Sequence, residues 1–163
     1  NNFNTNISLK QARESDVIIS FGYNKIIKKE IISIVNRPII NLHMSFLPYN
    51  RGAHPNFWSF IENTTTGITI HEIDEGIDTG DIIFQEKYDI DISIDEFSTF
   101  GKTYDFLFNK IEDLFEKNID KILNNQYSKF KQKGKPTFHK KEDLPSSLKN
   151  WDTNIIQFKK GIS

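Results

Sequence analysis

The sequence predicts an α/β domain built on a mostly parallel sheet, and two features carry that prediction. Two short β-branched runs, Asp16 to Phe21 (DVIISF) and Ile39 to Leu42 (IINL), flank KIIKKEIISIV, whose isoleucines fall at helical spacing. Strand, helix and strand in that order make a β-α-β unit, whose right-handed crossover leaves the two strands parallel. From about Ser98 to Leu123, Phe100, Tyr104, Leu107, Phe108, Ile111, Leu114, Phe115, Ile119 and Ile122 fall three and four residues apart. That spacing predicts a long amphipathic helix whose aromatics belong to the core.

The remaining elements follow in order. Pro55, directly after His54, sits where a helix can start without its amide hydrogen, so PNFWSFIEN reads as one short helix. ITIHEI (Ile68 to Ile73) and DIIFQEKY (Asp81 to Tyr88) read as two strands joined by the glycine-flanked loop EGIDTG. After Gln126 the chain turns lysine-rich, with Pro, Gly and a single Trp151 as an anchor. Residues 1–126 are therefore expected to form the core, and 127–163 an irregular extension packed on it.

Composition narrows the chemistry. At 163 residues with 37% hydrophobic and 13% aromatic content, the chain can bury a core of single-domain size. With no cysteine, thiolate metal sites, disulfides and cysteine nucleophiles are excluded. A net charge of -1 offers no broad attraction to nucleic acid or to an acidic membrane. The first residues, NNFNTNISLKQARE, lack the layout of a signal peptide, and no apolar run is long enough to span a bilayer, so the cytoplasm is expected. In that compartment the Asn63-Thr64-Thr65 sequon is chance composition.

The stretch NLHMSFLPYNRGAHPNFWSF holds the polar residues that packing does not require. Asn41 and His43 are two apart at the end of a strand, so both project from one face, near the strand ends where α/β sheets bind ligands. An amide can donate to an oxyanion while an imidazole handles the proton of an attacking amine. A carboxylate to support the histidine is available in DEGIDTGD, although spacing leaves four acidic residues open there. His71, alone on its strand, reads as structural. A metal site drawn from His43, His54, His71 and Asp78 is disfavoured by that spacing.

At this point the sequence resembles a family. Asn41-Leu42-His43-Met44-Ser45-Phe46-Leu47-Pro48, then Arg51-Gly52-Ala53, Gly67-Ile68-Thr69 and Asp74-Glu75-Gly76-Ile77-Asp78-Thr79-Gly80-Asp81, is similar to the folate-dependent formyltransferases. Their signature is N-x-H-x-S-x-L-P followed by D-x-G-x-D-T/G-G. The resemblance implies a Rossmann-like formyltransferase fold, with Asn41, His43 and Asp78 as the catalytic residues. It implies N10-formyltetrahydrofolate as formyl donor and no metal. The pterin pocket falls on Gly22, Tyr23, Asn24, Ile26 and Ile27 and on the backbone of Asp74, Glu75, Gly76 and Ile77. In that mechanism Asn41 and a protonated His43 stabilise the oxyanion, Asp78 supports the histidine's charge, and Ser45 gives local support.

Within the family, Asn50 to Phe60 and Thr137 to Leu144 look most like the sugar-nucleotide N-formyltransferases of surface polysaccharide synthesis. The expected substrate is thus the amine of a nucleotide-linked amino dideoxy sugar. Methionyl-tRNA and glycinamide ribonucleotide are the alternatives, and nucleic acid is disfavoured as a partner. Other readings are a non-catalytic folate-binding module and a hydrolase releasing formate. The family places further β-α units before the strand matched by DVIISF, so the sheet is expected to lack its first strands in this chain. Exposed faces of the long helix and of the extension leave room for a homodimer.

Overall fold

The computed structural model describes residues 6–162. Its main sheet has four strands in the order β1-β2-β4-β5, with β1 Ile19–Phe21, β2 Ile40–His43, β4 Gly67–Glu72 and β5 Ile82–Lys87. A two-stranded sheet pairs β3 (Arg51–Gly52) with β6 (Phe138–His139). The helices are α1 Leu9–Glu14, α2 Lys29–Ile34, α3 Pro55–Ile61, α4 Phe100–Leu123 and α5 Ile155–Gly161. None of them is long and apolar enough to cross a membrane.

The β-α-β unit forms as predicted, with β1 parallel to β2. The expectation of a mostly parallel sheet is corrected: β4 runs antiparallel to β2, and β5 antiparallel to β4, so the sheet is mixed. The cause lies in the connection after β2. Seven residues of α3 span only about 10 Å of helix. With turns on both sides, the segment does not return the chain to the start of β2, and β4 begins where β2 ends, His43 opposite Thr69. The Leu47–Pro48 peptide in this connection is cis.

Strand alternation divides the sheet into an apolar and a polar face. Ile40, Leu42, Ile68, Ile70 and Ile83 are buried against Leu107, Ile111, Leu114 and Ile122 of α4. Thr99 caps that helix by accepting from the Lys102 N–H at 3.2 Å. The opposite face carries Asn41 and His43, which pair in register with His71 and Thr69, and Thr69 in turn pairs with Gln85. The Gln85 amide donates to Thr69 Oγ1 and to the Leu47 carbonyl, at 2.9 and 3.0 Å.

The segment after Gln126 is more regular than expected. It supplies β6 and α5, and Ile155 and Phe158 of α5 are buried with Phe57, Phe60 and Phe100. These two residues, more than the half-exposed Trp151, anchor the segment.

Candidate active site

The antiparallel pairing of β2 with β4 sets His71 directly across from Asn41. The loop after β4 then folds back over the polar face, with Asp78 in the left-handed region at φ 52°. An aspartate tolerates that conformation better than most residues. Asp78 Oδ1 lies 3.3 Å from Asn41 Nδ2 and 3.4 Å from His71 Nε2. Its Oδ2 accepts the Gly52 N–H at 2.8 Å and lies 3.7 Å from His43 Nδ1. The three residues assigned from the family pattern therefore meet at one carboxylate.

A fourth member, His71, was read from sequence as structural and is 1% exposed. Its Nε2 is 3.1 Å from Asn41 Nδ2, and its Nδ1 donates to the Glu72 carbonyl at 2.8 Å. A signal for it was present in ITIHEI, where Thr69 and His71 form a second polar pair two residues apart. Only the register with β2 shows that the two polar pairs share a face.

Burial dominates the protonation of His43 and favours its neutral form, with the nearby His71 ring acting in the same direction. Asp78 and the Asn50 carbonyl oppose this without reversing it. In the protein by itself the balance favours a neutral His43 ring. A carbonyl can only accept, so the 3.0 Å bond from His43 Nε2 to Asn50 O fixes the hydrogen on Nε2. Nδ1 is left to take a proton beside Asp78. Burial also works against the Asp78 charge, but the nearby His43 and His71 rings and the Gly52 N–H hold its carboxyl well below the usual range.

Local bonds fix this arrangement. Ser45 donates to the Tyr49 carbonyl at 2.7 Å, the local support expected of it. Asn50, fully buried, donates its backbone N–H to Thr137 Oγ1 and its amide to Thr64, each at 2.8 Å. Gln132, hidden from sequence reasoning in the lysine-rich tail, donates to the carbonyls of Asp78 and Gly80 at 2.8 and 2.9 Å. Its Oε1 accepts from Arg51 Nε and Nη2 at 3.2 and 2.7 Å. Gln132→Ala is expected to cost about 1–2 kcal/mol in urea unfolding, since four polar groups lose a fixed partner, and to lower kcat/KM as Asp78 loosens.

The residues assigned to the pterin are brought together in part. Lys29 of α2 and Glu75 form an ion pair at 2.7 Å, which places the α2 start next to the loop after β4. Ile26 is 75% exposed and Ile77 44% exposed, one on each of the two loops. Ile27 instead packs in the cluster of Ala12, Ile31 and Ile39. The Tyr23 hydroxyl accepts the Ile7 N–H at 3.2 Å, and Gly22 turns the chain out of β1 at φ 63°. Asp74 accepts from the Gly76 N–H and the Thr79 hydroxyl and so holds its loop in shape. Asn24 makes no contact that adds to this picture.

An amide, an imidazole and a carboxylate thus meet on the polar face of an α/β sheet, groups that together can orient an amine and take up its proton. The formyl transferase family model matches residues 3–106, and the chain belongs to that family. It is 36% identical over 169 residues to the methionyl-tRNA formyltransferase of Fusobacterium nucleatum, a match covering 99% of this chain and 53% of that protein. The chain thus spans about half the length of that relative. The crystal structure of the formyltransferase PseJ from Anoxybacillus kamchatkensis, in complex with UDP-4,6-dideoxy-4-formamido-L-AltNAc and tetrahydrofolate, superposes with a TM-score of 0.81. Identity is 37%, over 88% of this chain and 76% of that one. An N-formyltransferase from Helicobacter canadensis, in complex with folinic acid and dTDP-3-aminofucose, matches at TM-score 0.73 and 30% identity, over 85% of this chain and 51% of its own.

Proposed function

We propose that this site moves a formyl group from N10-formyltetrahydrofolate to the amine of a nucleotide-linked amino dideoxy sugar, with Asn41, His43 and Asp78 as catalytic residues. The observation that carries the reading is the convergence of Asn41 and His43 on Asp78, at 3.3 and 3.7 Å. The sugar class is supported by PseJ, whose complex holds a formamido sugar nucleotide. The match to methionyl-tRNA formyltransferase over nearly the whole chain supports that acceptor as a second reading.

The folate supplies a formyl carbon already activated for transfer to an amine. Ile26 and Ile77 are apolar side chains exposed to water and are available to cover a heteroaromatic ring. As the amine nitrogen bonds to the formyl carbon, His43 Nδ1 takes the proton that the amine sheds and Asp78 stabilises the imidazolium so formed; the proton then passes to N10 as the formyl C–N10 bond breaks and tetrahydrofolate leaves. The Asn41 carboxamide addresses the reacting groups, and Gly52 fixes Asp78 through its N–H.

Formyl transfer by the full-length gene product, measured with amino-sugar nucleotides beside methionyl-tRNA and glycinamide ribonucleotide, tests the reading. Turnover of an amino sugar is expected. Turnover of methionyl-tRNA alone would establish the second reading, and folate binding without transfer to any acceptor would make the chain a binding module. Ile26→Ser is expected to raise the KM for the folate several-fold with little change in kcat, because its apolar contact is shared by ground and transition states.

A further inference from the structure

Asn41 presents its amide in an orientation that an oxyanion donor would not choose. Nδ2 faces inward, 3.1 Å from His71 Nε2 and 3.3 Å from Asp78 Oδ1, so both of its N–H groups are engaged. Asn41 Oδ1 makes no hydrogen bond among the described residues and is not enclosed, so the outward end is an acceptor. Such an end can receive an N–H of an attacking amine but cannot stabilise an oxyanion.

We infer that His71 is the positioning residue of the site, its charge state selecting which end of the Asn41 carboxamide faces the reacting groups. The Glu72 carbonyl holds a hydrogen on His71 Nδ1, so every change in charge occurs at Nε2. When Nε2 is bare it accepts one Asn41 N–H while Asp78 Oδ1 accepts the other, and the carbonyl points outward. When Nε2 is protonated it donates toward Asp78 at 3.4 Å, and an inward amide N–H 3.1 Å away opposes it. Rotation of the carboxamide by a half turn removes that conflict. Asn41 Oδ1 then shares the Nε2 hydrogen with Asp78, and the amino group faces outward as a donor. The neutral state is set to hold an amine, and the protonated state to hold an oxyanion.

The groups that face the His71 ring are few. Asp78 comes from the loop after β4, and His43 from β2 stands edge-on with its ring centre 6.2 Å away. The neighbouring Glu72 carboxylate is engaged with Lys129 at 2.8 Å and Tyr127 at 3.2 Å. The assignment deepens the formyl-transfer reading and rests on it for its purpose, but the geometry is observable without any substrate.

The test is nuclear magnetic resonance on the full-length protein, with nitrogen-15 in asparagine and histidine, as pH is lowered through the range where imidazoles gain a proton. Asn41 side-chain signals are expected to shift with the same midpoint as His71 Nε2 and to exchange faster with water once the amino group faces outward. In His71→Gln the Asn41 signals should lose that midpoint. Asn41 signals that stay still while His71 titrates would overturn the inference. So would a His71 that gains no proton before unfolding, or a midpoint that survives in His71→Gln and so belongs to His43 or Asp78. Should His71→Gln fail to fold, the wild-type titration decides alone. Failure of formyl transfer would leave these signals unchanged, so the two readings fail separately.

Discussion

Asp78→Asn is expected to lower kcat/KM for formyl transfer by about 10²–10⁴-fold, the range for loss of a positioned acid–base partner or charge stabiliser. The substitution keeps the shape of the side chain and an oxygen for the Gly52 N–H, so the loop should hold its place. What it removes is the charge that meets the proton arriving on His43 Nδ1, 3.7 Å away. It also sets a second amide against Asn41, where the carboxylate accepted an N–H at 3.3 Å. The loss should fall mainly on kcat, because the charge acts after the amine has bound.

The same variant carries a stability signature. The Asp78 carboxyl is held below its usual range in the fold, against the effect of burial, by His43, His71 and the Gly52 N–H. The stability tied to it is fully present above about pH 4 and is lost as pH falls toward the depressed value. Urea unfolding of wild type and Asp78→Asn should therefore differ most near neutral pH, with the gap closing below about pH 4. A gap that stayed constant into acid would show that the carboxylate charge contributes nothing to the fold.

Phe100→Ala is expected to destabilise the protein by about 3–5 kcal/mol, the largest single effect in the core. The ring is fully buried at the head of α4, with ring centres of Phe57, Phe158 and Phe60 at 4.8, 5.7 and 6.5 Å. It thereby joins α3, α4 and α5 in one contact. Its carbonyl accepts from the Asn56 amide at 2.9 Å, and its N–H donates to Thr153 O at 3.4 Å, so the backbone there is fixed as well. A cavity at this junction cannot collapse without moving a helix. Urea unfolding followed by tryptophan fluorescence reads the effect, since Trp58 and Trp151 both lie within ring contact of Phe57. A cost below about 1 kcal/mol would mean that the three helices repack freely.

What the sequence disclosed depended on whether a signal was local. The α4 stripe, the proline at the start of α3 and the polar pair Asn41 and His43 all follow from spacings of two to four residues. The direction of β4 did not, because it turns on how far a seven-residue helix carries the chain. His71 reached the site through strand register, thirty positions from Asn41. Gln132 reached Asp78 across fifty-four positions, from a stretch whose composition suggests only a solvated surface.

The pairing of β3 with β6 bears on the order in which the protein matures. Asn50 waits for Thr137, eighty-seven positions away, and Arg51 for Gln132, eighty-one away. Closing spans of that length is slower than zipping the neighbouring strands β4 and β5. In a refolding experiment the sheet and α4 should acquire their circular dichroism first. Competence for catalysis should lag behind, arriving only when the tail clasps the catalytic loop. An emerging chain would thus hold its hydrophobic core for a time before it can hold its chemistry.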